Sequence, residues 1–394
     1  MPVTTTDPVP GAVDRRPVVD LTDEEARLKL PLKWGVPEGV IPAWVAEMDY
    51  AVDPVVLEAV QQMLADGITG YPLFGWDEAL ATSYAGWAAR HFGWAPEPEA
   101  VHPVVDVTAG VRLAIDVLSG PGGVVFPTPG YNAQHGLASV TGRTEHLLEV
   151  PTSAERCEID LDALDRLFAG GAQTLLLTQP HNPWGRVFTR SELEGIRDVV
   201  VAHGARVVSD EIHAPLVLPG AEHVSYLSIE GTADHAVAVV AASKAFNTAG
   251  LRCAQIVVPS AADRELLAAQ PMSRNDSHSP VGAVAARAAY DHGDAWLASL
   301  VERLDQQRTL LGELLATHLP EVRMRPLEAT YLAWLDASAY GHDDAAAIAL
   351  ERGRVMVSPG ASYAPGTTGQ VRLNIATSPD RLTEIVERLA KAWR

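Results

Sequence analysis

The sequence predicts an α/β protein with a large domain built on a parallel sheet and a smaller α+β domain after it. Through the middle of the chain, short apolar runs alternate with amphipathic helix patterns, as in strands joined by right-handed helical crossovers. The last third changes to a long helix, two short strands and a closing helix. The expected limits are 1–45 for an N-terminal arm and small-domain segment, 46–285 for the large domain and 286–394 for the small domain.

The first half of the chain offers few strong signals before its first buried strand. Residues 1–30 are rich in Pro, Thr and Asp, which predicts a loosely ordered arm. Asp53 followed by Pro54 predicts a helix that begins with an N-cap and a proline in its first turn. The apolar run "AQTLLLTQ" (172–179) predicts a buried strand.

The middle of the chain shows the clearest strand, helix, strand succession. "TRSELEGIRDVVVAHG" predicts a helix in which Thr189 and Glu192 form a capping box and Gly204 follows the last turn. "ARVVSDE" (205–211) and "HAVAVVAASK" (235–244) predict the next two strands.

The last third predicts the smaller domain. "AWLASLVERLDQQRTLLGELLATHL" (295–319) is typical of one long helix, and "TYLAWLD" (330–336) and "VRLNIAT" (371–377) of short strands. The pair Ser378-Pro379 predicts the start of a closing amphipathic helix.

Composition excludes several classes of partner. The 394 residues include 30 Lys and Arg against 50 Asp and Glu, a formal charge of −20, which argues against nucleic acid and anionic membrane surfaces. Cys157 and Cys253 form no disulfide framework and no metal-binding spacing, so we expect a reducing cytoplasm. The opening "MPVTTTDPVPGAVDRR" lacks the apolar core of a signal peptide, and no apolar run is long enough to cross a bilayer.

Polar residues follow three apolar runs. Asn182, Asp210 and Lys244 each come just after a predicted strand. Taken singly they are typical of a turn, a helix cap and a surface charge. In an open parallel sheet, however, ligands bind beyond the carboxyl ends of the strands. Together the three predict a site that combines an amide, a carboxylate and an amine.

Such a trio suits pyridoxal 5'-phosphate (PLP). A lysine forms a Schiff base with the cofactor aldehyde, and a carboxylate pairs with the pyridinium nitrogen so that the ring accepts electrons. The phosphate also needs hydrogen-bond donors. In "DVTAGVRLAIDVL", residues 108–111 come just before a helical pattern, where backbone N–H groups and the helix dipole hold anions.

Several motifs resemble one known family. "HNPWG", "SDEIHAPL", "SKAFNTAGLR" and "VRLNIAT" resemble the class I/II aminotransferase superfamily of fold type I. "KWGVPEGVIPAWVAEMDY", "GYPLFG", "TYLAWLD" and the histidine of "DEIH" are similar to its cystathionine β-lyase (C–S lyase) branch. The resemblance implies PLP, a mostly parallel seven-stranded sheet, and a homodimer with active sites at the subunit interface.

The resemblance also implies a role for each matching residue. Lys244 is the Schiff-base lysine and moves the Cα proton. Around the ring, Asp210 pairs with the nitrogen, Asn182 contacts the ring oxygen, Tyr131 stacks, and His213 lies on the phenolic side. The implied phosphate-binding residues are Gly110, Val111, Ser243, Arg252 and, from across the dimer, Tyr71; those expected at the substrate are Arg372, Trp184 and Trp44.

Four of these residues have structural alternatives. Tyr131 and Tyr71 are also compatible with core aromatics, His213 with a structural histidine and Arg372 with a solvated strand residue. Trp184 departs from the family, which usually has threonine there. It could narrow the substrate cleft, stack on a substrate ring or pack at the dimer interface.

The branch implies α,β-elimination of cystathionine or another S-substituted L-cysteine to a thiol, pyruvate and ammonia. An aminotransferase, or a decarboxylating or oxidatively deaminating enzyme that acts on a bulky cysteine conjugate in natural-product biosynthesis, is the alternative, motivated by Trp184. A non-enzymatic role as a cofactor-loaded partner of a regulatory protein is the third hypothesis.

Overall fold

A computed structural model describes residues 15–72, 77–150, 156–275 and 278–394. Residues 1–14 of the predicted arm and residues 73–75 of the motif "GYPLFG" lie outside these ranges. Among the described residues, no helix combines the length and the apolar character that a membrane span needs.

The described residues form two sheets. Their strands are β1 (Ile41–Ala43), β2 (Val101–Val104), β3 (Gly123–Thr128), β4 (Glu145–Glu149), β5 (Ala172–Thr178), β6 (Arg206–Asp210), β7 (Ala236–Val240), β8 (Ala254–Val257), β9 (Arg323–Met324), β10 (Leu332–Asp336), β11 (Val355–Pro359) and β12 (Gln370–Asn374).

Helices connect and cover these strands. They are α1 (Asp23–Lys29), α2 (Pro31–Trp34), α3 (Pro54–Ala65), α4 (Glu78–Phe92), α5 (Val107–Leu113), α6 (Leu137–Val140), α7 (Leu161–Ala169), α8 (Arg190–Ala202), α9 (Ala261–Ala268), α10 (Pro280–His292), α11 (Asp294–His318), α12 (Ala345–Glu351) and α13 (Pro379–Trp393).

The larger sheet confirms the predicted fold class. Its seven strands follow the order β2-β8-β7-β6-β5-β3-β4, and only β8 runs antiparallel to its neighbours. The smaller sheet has the order β1-β11-β12-β10-β9 and mixes parallel and antiparallel pairs. Because β1 belongs to it, the chain before residue 45 contributes to the smaller sheet.

The central strands are apolar on both faces because both faces of the sheet are covered. In β5, Leu175 and Leu177 pack into one hydrophobic cluster while Leu176 packs into a second cluster on the other side. Val207 and Val208 of β6 divide in the same way. A parallel sheet enclosed by helices produces this uninterrupted apolar sequence.

The register of the strands determines which residues lie side by side at the edge of the larger sheet. Thr178, the last residue of β5, lies opposite Asp210, the last residue of β6. Asp210 in turn lies opposite Val239 of β7, five residues before Lys244. Thr178, Asp210 and Lys244 therefore meet at the carboxyl edge, where open α/β sheets bind ligands.

The N-terminal segment is more ordered than the sequence predicts. Residues 23–29 of the predicted arm form α1, where Thr22 and Glu25 make a reciprocal capping box. A small cluster of buried side chains fixes this region, consisting of Leu21, Ala26, Leu30 and Trp34. The expectation of a loose arm is wrong here because Pro, Thr and Asp are helix-start residues as well as loop residues.

Candidate active site

Lys244 is partly buried in the wall of a cavity at the carboxyl edge of the larger sheet. Its Nζ donates to the backbone carbonyl of Ala46 at 2.8 Å. Burial, and then the positive charge of Arg372, lower the pKa of Lys244 to about 8. The amine is therefore more easily freed of its proton than a surface lysine is. The other residues of the wall are Ala46, Asp106, Val107, Thr108, Tyr131, Thr178, Asn182, Asp210, Ile212, His213, Ser243, Ala249 and Arg252.

Asp210 is buried at the end of β6. Its Oδ1 accepts from the N–H of Ile212 at 3.1 Å, and its Oδ2 accepts from Nε2 of Gln134 at 2.6 Å. Burial raises the pKa of Asp210 to about 6, against these two hydrogen bonds. The carboxylate lies in the cavity wall where it can meet a cationic ring nitrogen.

Arg372 joins the two sheets at the site. From β12, its Nη1 donates to Oδ1 of Asn182 at 3.0 Å and its Nη2 to the carbonyl of Trp44 at 2.9 Å. The guanidinium carbon lies 5.1 Å from the ring centre of Tyr363. Arg372 is only 4% exposed, and its Nε finds no acceptor within the described parts of the chain. A buried, partly satisfied guanidinium suits a carboxylate ligand.

The end of the cavity where a phosphate is expected lies at the start of helix α5. Helix α5 begins at Val107, because Oδ1 of Asp106 caps it by accepting from the N–H of Ala109 at 2.7 Å. Gly110 and Val111 therefore lie inside the helix, and the N–H of Gly110 already donates to the carbonyl of Asp106 at 2.9 Å. Neither is among the residues of the cavity wall, and their contacts with a phosphate stay predictions.

The residues that do form this end come from two loops and the first turn of α5. They are Asp106, Val107, Thr108, Ser243 and Arg252. Arg252 donates to Oδ2 of Asp106 at 2.7 Å, and its backbone is left-handed with φ of 59°. Ser243 and Arg252 thus lie in this part of the cavity wall, and their contacts with a phosphate stay predictions.

Tyr131 and His213 also lie in the cavity wall. His213 is buried, and its Nδ1 has no hydrogen-bond partner among the described residues. Burial, then the charges of Lys244 and Arg372, lower the pKa of His213 to about 3, so its imidazole is neutral near pH 7. Burial also raises the pKa of Tyr131, so its phenol keeps its proton.

Three predicted residues lie elsewhere or contact the site differently. The Tyr71 side chain is 93% exposed on the surface beyond α3. The indole of Trp184 is 2% exposed and stacks on His181, with ring centres 3.7 Å apart, beside a separate pocket. Trp44 meets Arg372 through its carbonyl, while its indole Nε1 donates to the carbonyl of Lys33 at 3.2 Å. Their roles in binding cofactor or substrate stay predictions.

The sequence motifs do not predict that the backbone of residues 44–48 lies beside Lys244. Its carbonyls are held by side chains from several elements: Trp44 by Arg372 and Ser358, Val45 by Asn374, Ala46 by Lys244 and Tyr331, Glu47 by Lys33 and Asn374, and Met48 by Asn247. Backbone acceptors carry no signature in side-chain patterns. Arg372 and Asn374 of the motif "VRLNIAT", which bind three of these carbonyls, are the part of the arrangement that a sequence motif contains.

Gln134 is a second omission. It is buried, and it links Thr178 to Asp210 by two side-chain hydrogen bonds. The sequence places it in the loop after Tyr131 without any motif that marks it, and its position becomes clear only in the fold.

The cavity fits PLP in the types and placement of its groups. Lys244 offers an amine for an aldehyde, and Asp210 offers a carboxylate for a ring nitrogen. Ser243, Thr108 and Arg252 offer donors for a phosphate. His213 has an orphaned ring nitrogen beside these groups. In the described ranges, no cluster of His, Cys, Asp and Glu has the arrangement of a metal site.

Comparison with known proteins gives a consistent result. The family model "Aminotransferase class I and II" matches residues 44–389. The cystathionine β-lyase of Corynebacterium glutamicum is 35% identical over 374 residues, covering 93% of this chain and 98% of that protein. The cystathionine β-lyase PatB of Bacillus subtilis is 33% identical, covering 89% and 92%.

A solved structure agrees with these relatives. Cystalysin from Treponema denticola, whose structure contains PLP, superposes with a TM-score of 0.88 at 27% identity, covering 95% of this chain and 98% of that one. The matches confirm the predicted family and fold type and agree with PLP as the cofactor. The chain belongs to the aminotransferase class I and II family, and the relatives it resembles include cystathionine β-lyases.

Proposed function

We propose that the protein is a PLP-dependent carbon–sulfur β-lyase that converts an S-substituted L-cysteine and water into a thiol, pyruvate and ammonia. The observation that carries the proposal is that Lys244 and Asp210 lie in the wall of one cavity, while Arg372 reaches that wall through its hydrogen bond to Asn182. The amine, the carboxylate and the guanidinium correspond to the aldehyde, the ring nitrogen and the substrate carboxylate. Similarity to C–S lyases over most of the chain supports this choice of reaction.

When bound, PLP supplies an electron sink that acidifies the Cα–H bond of the amino acid. Lys244 holds the resting cofactor and then takes the Cα proton as a general base. Its lowered pKa suits this task, because a base works best when its pKa lies near the operating pH. Asp210 holds the proton on the ring nitrogen by pairing with it as an anion.

Arg372 binds the substrate α-carboxylate. Nη1 and Nη2 already have partners in Asn182 and Trp44, so the guanidinium is oriented before substrate arrives. Its buried Nε remains available as a donor. A fixed fork of this kind holds the Cα–H bond in one orientation relative to the amine of Lys244.

The position of Trp184 bears on which substrate side chains the site accepts. Trp184 motivated a redirected reaction on a bulky conjugate, but its indole stacks on His181 outside the wall of this cavity. Its position therefore lends no support to transamination or oxidative decarboxylation. Those reactions become alternative outcomes of the same assay.

Product analysis tests the proposal. Purified enzyme with PLP is incubated with L-cystathionine and a panel of S-substituted cysteines, and thiol, pyruvate and ammonia are quantified. We expect equal amounts of the three products. Lys244→Ala should lose this activity together with the visible absorbance of the lysine-bound cofactor, whereas Lys391→Ala, on the exposed side of α13, should keep both. A keto acid or aldehyde that retains the sulfur would replace β-elimination with one of the alternatives.

We further propose a homodimer in which Tyr71 reaches the phosphate of the neighbouring subunit. The α3 patch, which consists of the exposed side chains Leu57, Leu64, Ile68 and Tyr71, supports it. Part of the patch borders an open apolar hollow that also includes Pro280 and Val281. Contiguous exposed apolar surface of this kind is typical of protein–protein interfaces.

A further inference from the structure

A short hydrogen-bonded chain lies behind the carboxylate of Asp210. The hydroxyl of Thr178 contacts Oε1 of Gln134 at 3.0 Å, and Nε2 of Gln134 contacts Oδ2 of Asp210 at 2.6 Å. All three side chains are buried; Gln134 is 2% exposed. Thr178 and Asp210 end adjacent strands, while Gln134 comes from the loop that also carries Tyr131.

The chemistry of these groups fixes the direction of the chain. An ionised carboxylate only accepts hydrogen bonds, so Gln134 must turn its NH₂ group toward Asp210. Its carbonyl oxygen then faces Thr178, whose hydroxyl can donate. Each group is a hydrogen-bond partner of the next, and the bond to Asp210 is strongest when Asp210 is an anion.

The other charges around Asp210 do not replace this hydrogen bond. Glu211, the next residue, disfavours a second negative charge, whereas Lys244 across the cavity favours it more weakly than the hydrogen bonds do. Burial opposes ionisation and raises the pKa of Asp210 to about 6. Within the described ranges, the N–H of Ile212 and the amide of Gln134 donate to the carboxylate.

We propose that Gln134, braced by Thr178, is a positioning residue that orients Asp210 and keeps it ionised for pairing with the ring nitrogen of PLP. Gln134 touches neither substrate nor cofactor in this role and acts through Asp210. The inference rests on the proposed PLP-dependent function. It adds a residue that controls the charge of the ring nitrogen and hence its strength as an electron sink.

Two substitutions at Gln134 should move the pH dependence of PLP affinity in opposite directions. Gln134→Leu removes the donor, so Asp210 takes up a proton more easily. As the pH is lowered, PLP affinity should therefore begin to fall about one to two pH units above the pH at which it falls in the wild type. In Gln134→Glu, a protonated carboxyl can still donate to Asp210. Once that carboxyl ionises, it can no longer donate and it repels the anion of Asp210. PLP affinity of Gln134→Glu should therefore fall as the pH rises.

The experiment measures PLP dissociation constants from pH 5 to 9 by equilibrium dialysis, with circular dichroism to verify folding. Gln173→Leu is the matched control. It makes the same substitution at an exposed residue near the start of β5, whereas Thr178 lies at the end of that strand. Thr178→Val should displace the profile in the same direction as Gln134→Leu, by a smaller amount. Opposite displacements by Leu and Glu at position 134 support the proposal.

Two results would overturn it. One is a set of profiles that superimpose on the wild type; the other is an equal loss of affinity at every pH in both variants, as expected for a merely structural residue. A wild-type protein that binds no PLP contradicts the proposed function instead, so the two failures are distinguishable.

Discussion

The guanidinium of Arg372 contacts the cavity wall through its hydrogen bond to Asn182, and its charge acts on the amine of Lys244. The positive charge of Arg372 is the largest electrostatic cause, after burial, of the lowered pKa of Lys244. It also contributes to the lowered pKa of His213. The residue that we propose to bind the substrate carboxylate therefore also lowers the pKa of the proposed base, and a bound carboxylate should partly cancel this effect.

Capture of PLP by the apoprotein should reveal this coupling. Only the neutral amine of Lys244 attacks an aldehyde, so the rate should rise with pH and level off above about 8. Arg372→Met removes a repelling cation, which raises the pKa of Lys244 and moves the rise to higher pH. Stopped-flow absorbance measures the rate.

Arg381→Met is the control, because Arg381 lies beside Asp49, 3.5 Å away, and not in the cavity wall. It should leave the profile in place. An unchanged profile in Arg372→Met would mean that burial alone sets the pKa of Lys244.

At the scale of elements, α5 combines two demands. The carboxylate of its cap, Asp106, lies at the end of the cavity where the phosphate is expected. This carboxylate forms an ion pair with Arg252. Its interior glycine lets the helix approach the sheet: a Cβ on Gly110 would lie 2.8 Å from Val239 and 3.1 Å from Val104. Gly110 thus has a packing reason that needs no contact with phosphate.

Asp106→Asn should tighten PLP binding. Asparagine still caps a helix, but it releases Arg252 and removes a negative charge near the phosphate. Since exposed ion pairs contribute little, we expect about a two- to fivefold lower dissociation constant, diminishing with added salt. Asp160→Asn, which changes the equivalent cap of α7, should have no effect. Weaker binding in Asp106→Asn would show instead that the carboxylate helps to hold the cofactor.

Gly110→Ala should destabilise the apoprotein, by about 1–3 kcal/mol, because the added methyl group meets two packed valines. Gly312→Ala in α11 is the matched control, since among the described residues no atom apart from its chain neighbours and its own helix backbone lies within 4 Å of the added Cβ. It should stabilise the protein by about 1 kcal/mol or less. Thermal unfolding followed by circular dichroism measures both. A Gly110→Ala apoprotein that is as stable as the wild type but binds PLP more weakly would show that Gly110 contributes to phosphate binding.

Elements with strong local signals could be predicted from the sequence. The capping box of Thr189 and Glu192 begins α8, and Asp53 caps α3, both as expected. Strands β5 and β6 and the long helix α11 lie within a residue of their predicted limits, whereas β7 ends at Val240, four residues before the end of the predicted run. In these cases the hydrophobic period and the capping chemistry indicate the same structure.

Other features depend on contacts between distant parts of the chain. Helix α5 begins earlier than its apolar pattern suggests, because Asp106 rather than a later residue caps it. Gln134 acquires a partner 76 residues away. The carbonyl of Ala46 meets Lys244 from 198 residues away. No local pattern contains this information, so the site could be predicted in its chemical groups but not in their supporting contacts.

For the whole molecule, the site forms only where separate parts of the chain meet. The segment after β1, the edge of the larger sheet and β12 of the smaller sheet all contribute to it. The α3 patch lies outside this assembly, and Tyr71 extends from it with 93% of its side chain exposed. If a second subunit supplies Tyr71, cofactor affinity should depend on dimerisation.

Leu64→Glu should disrupt the proposed dimer, because it buries a charge among apolar side chains of the α3 patch. We expect sedimentation velocity to show a dimer for the wild type and a monomer for the variant, with weaker PLP binding. Leu266→Glu is the control: Leu266 in α9 is 49% exposed, against 53% for Leu64, and lies outside the patch. A variant that stays dimeric would show that the α3 patch is not the interface, and a wild-type monomer with full lyase activity would mean that Tyr71 plays no part in a neighbouring site.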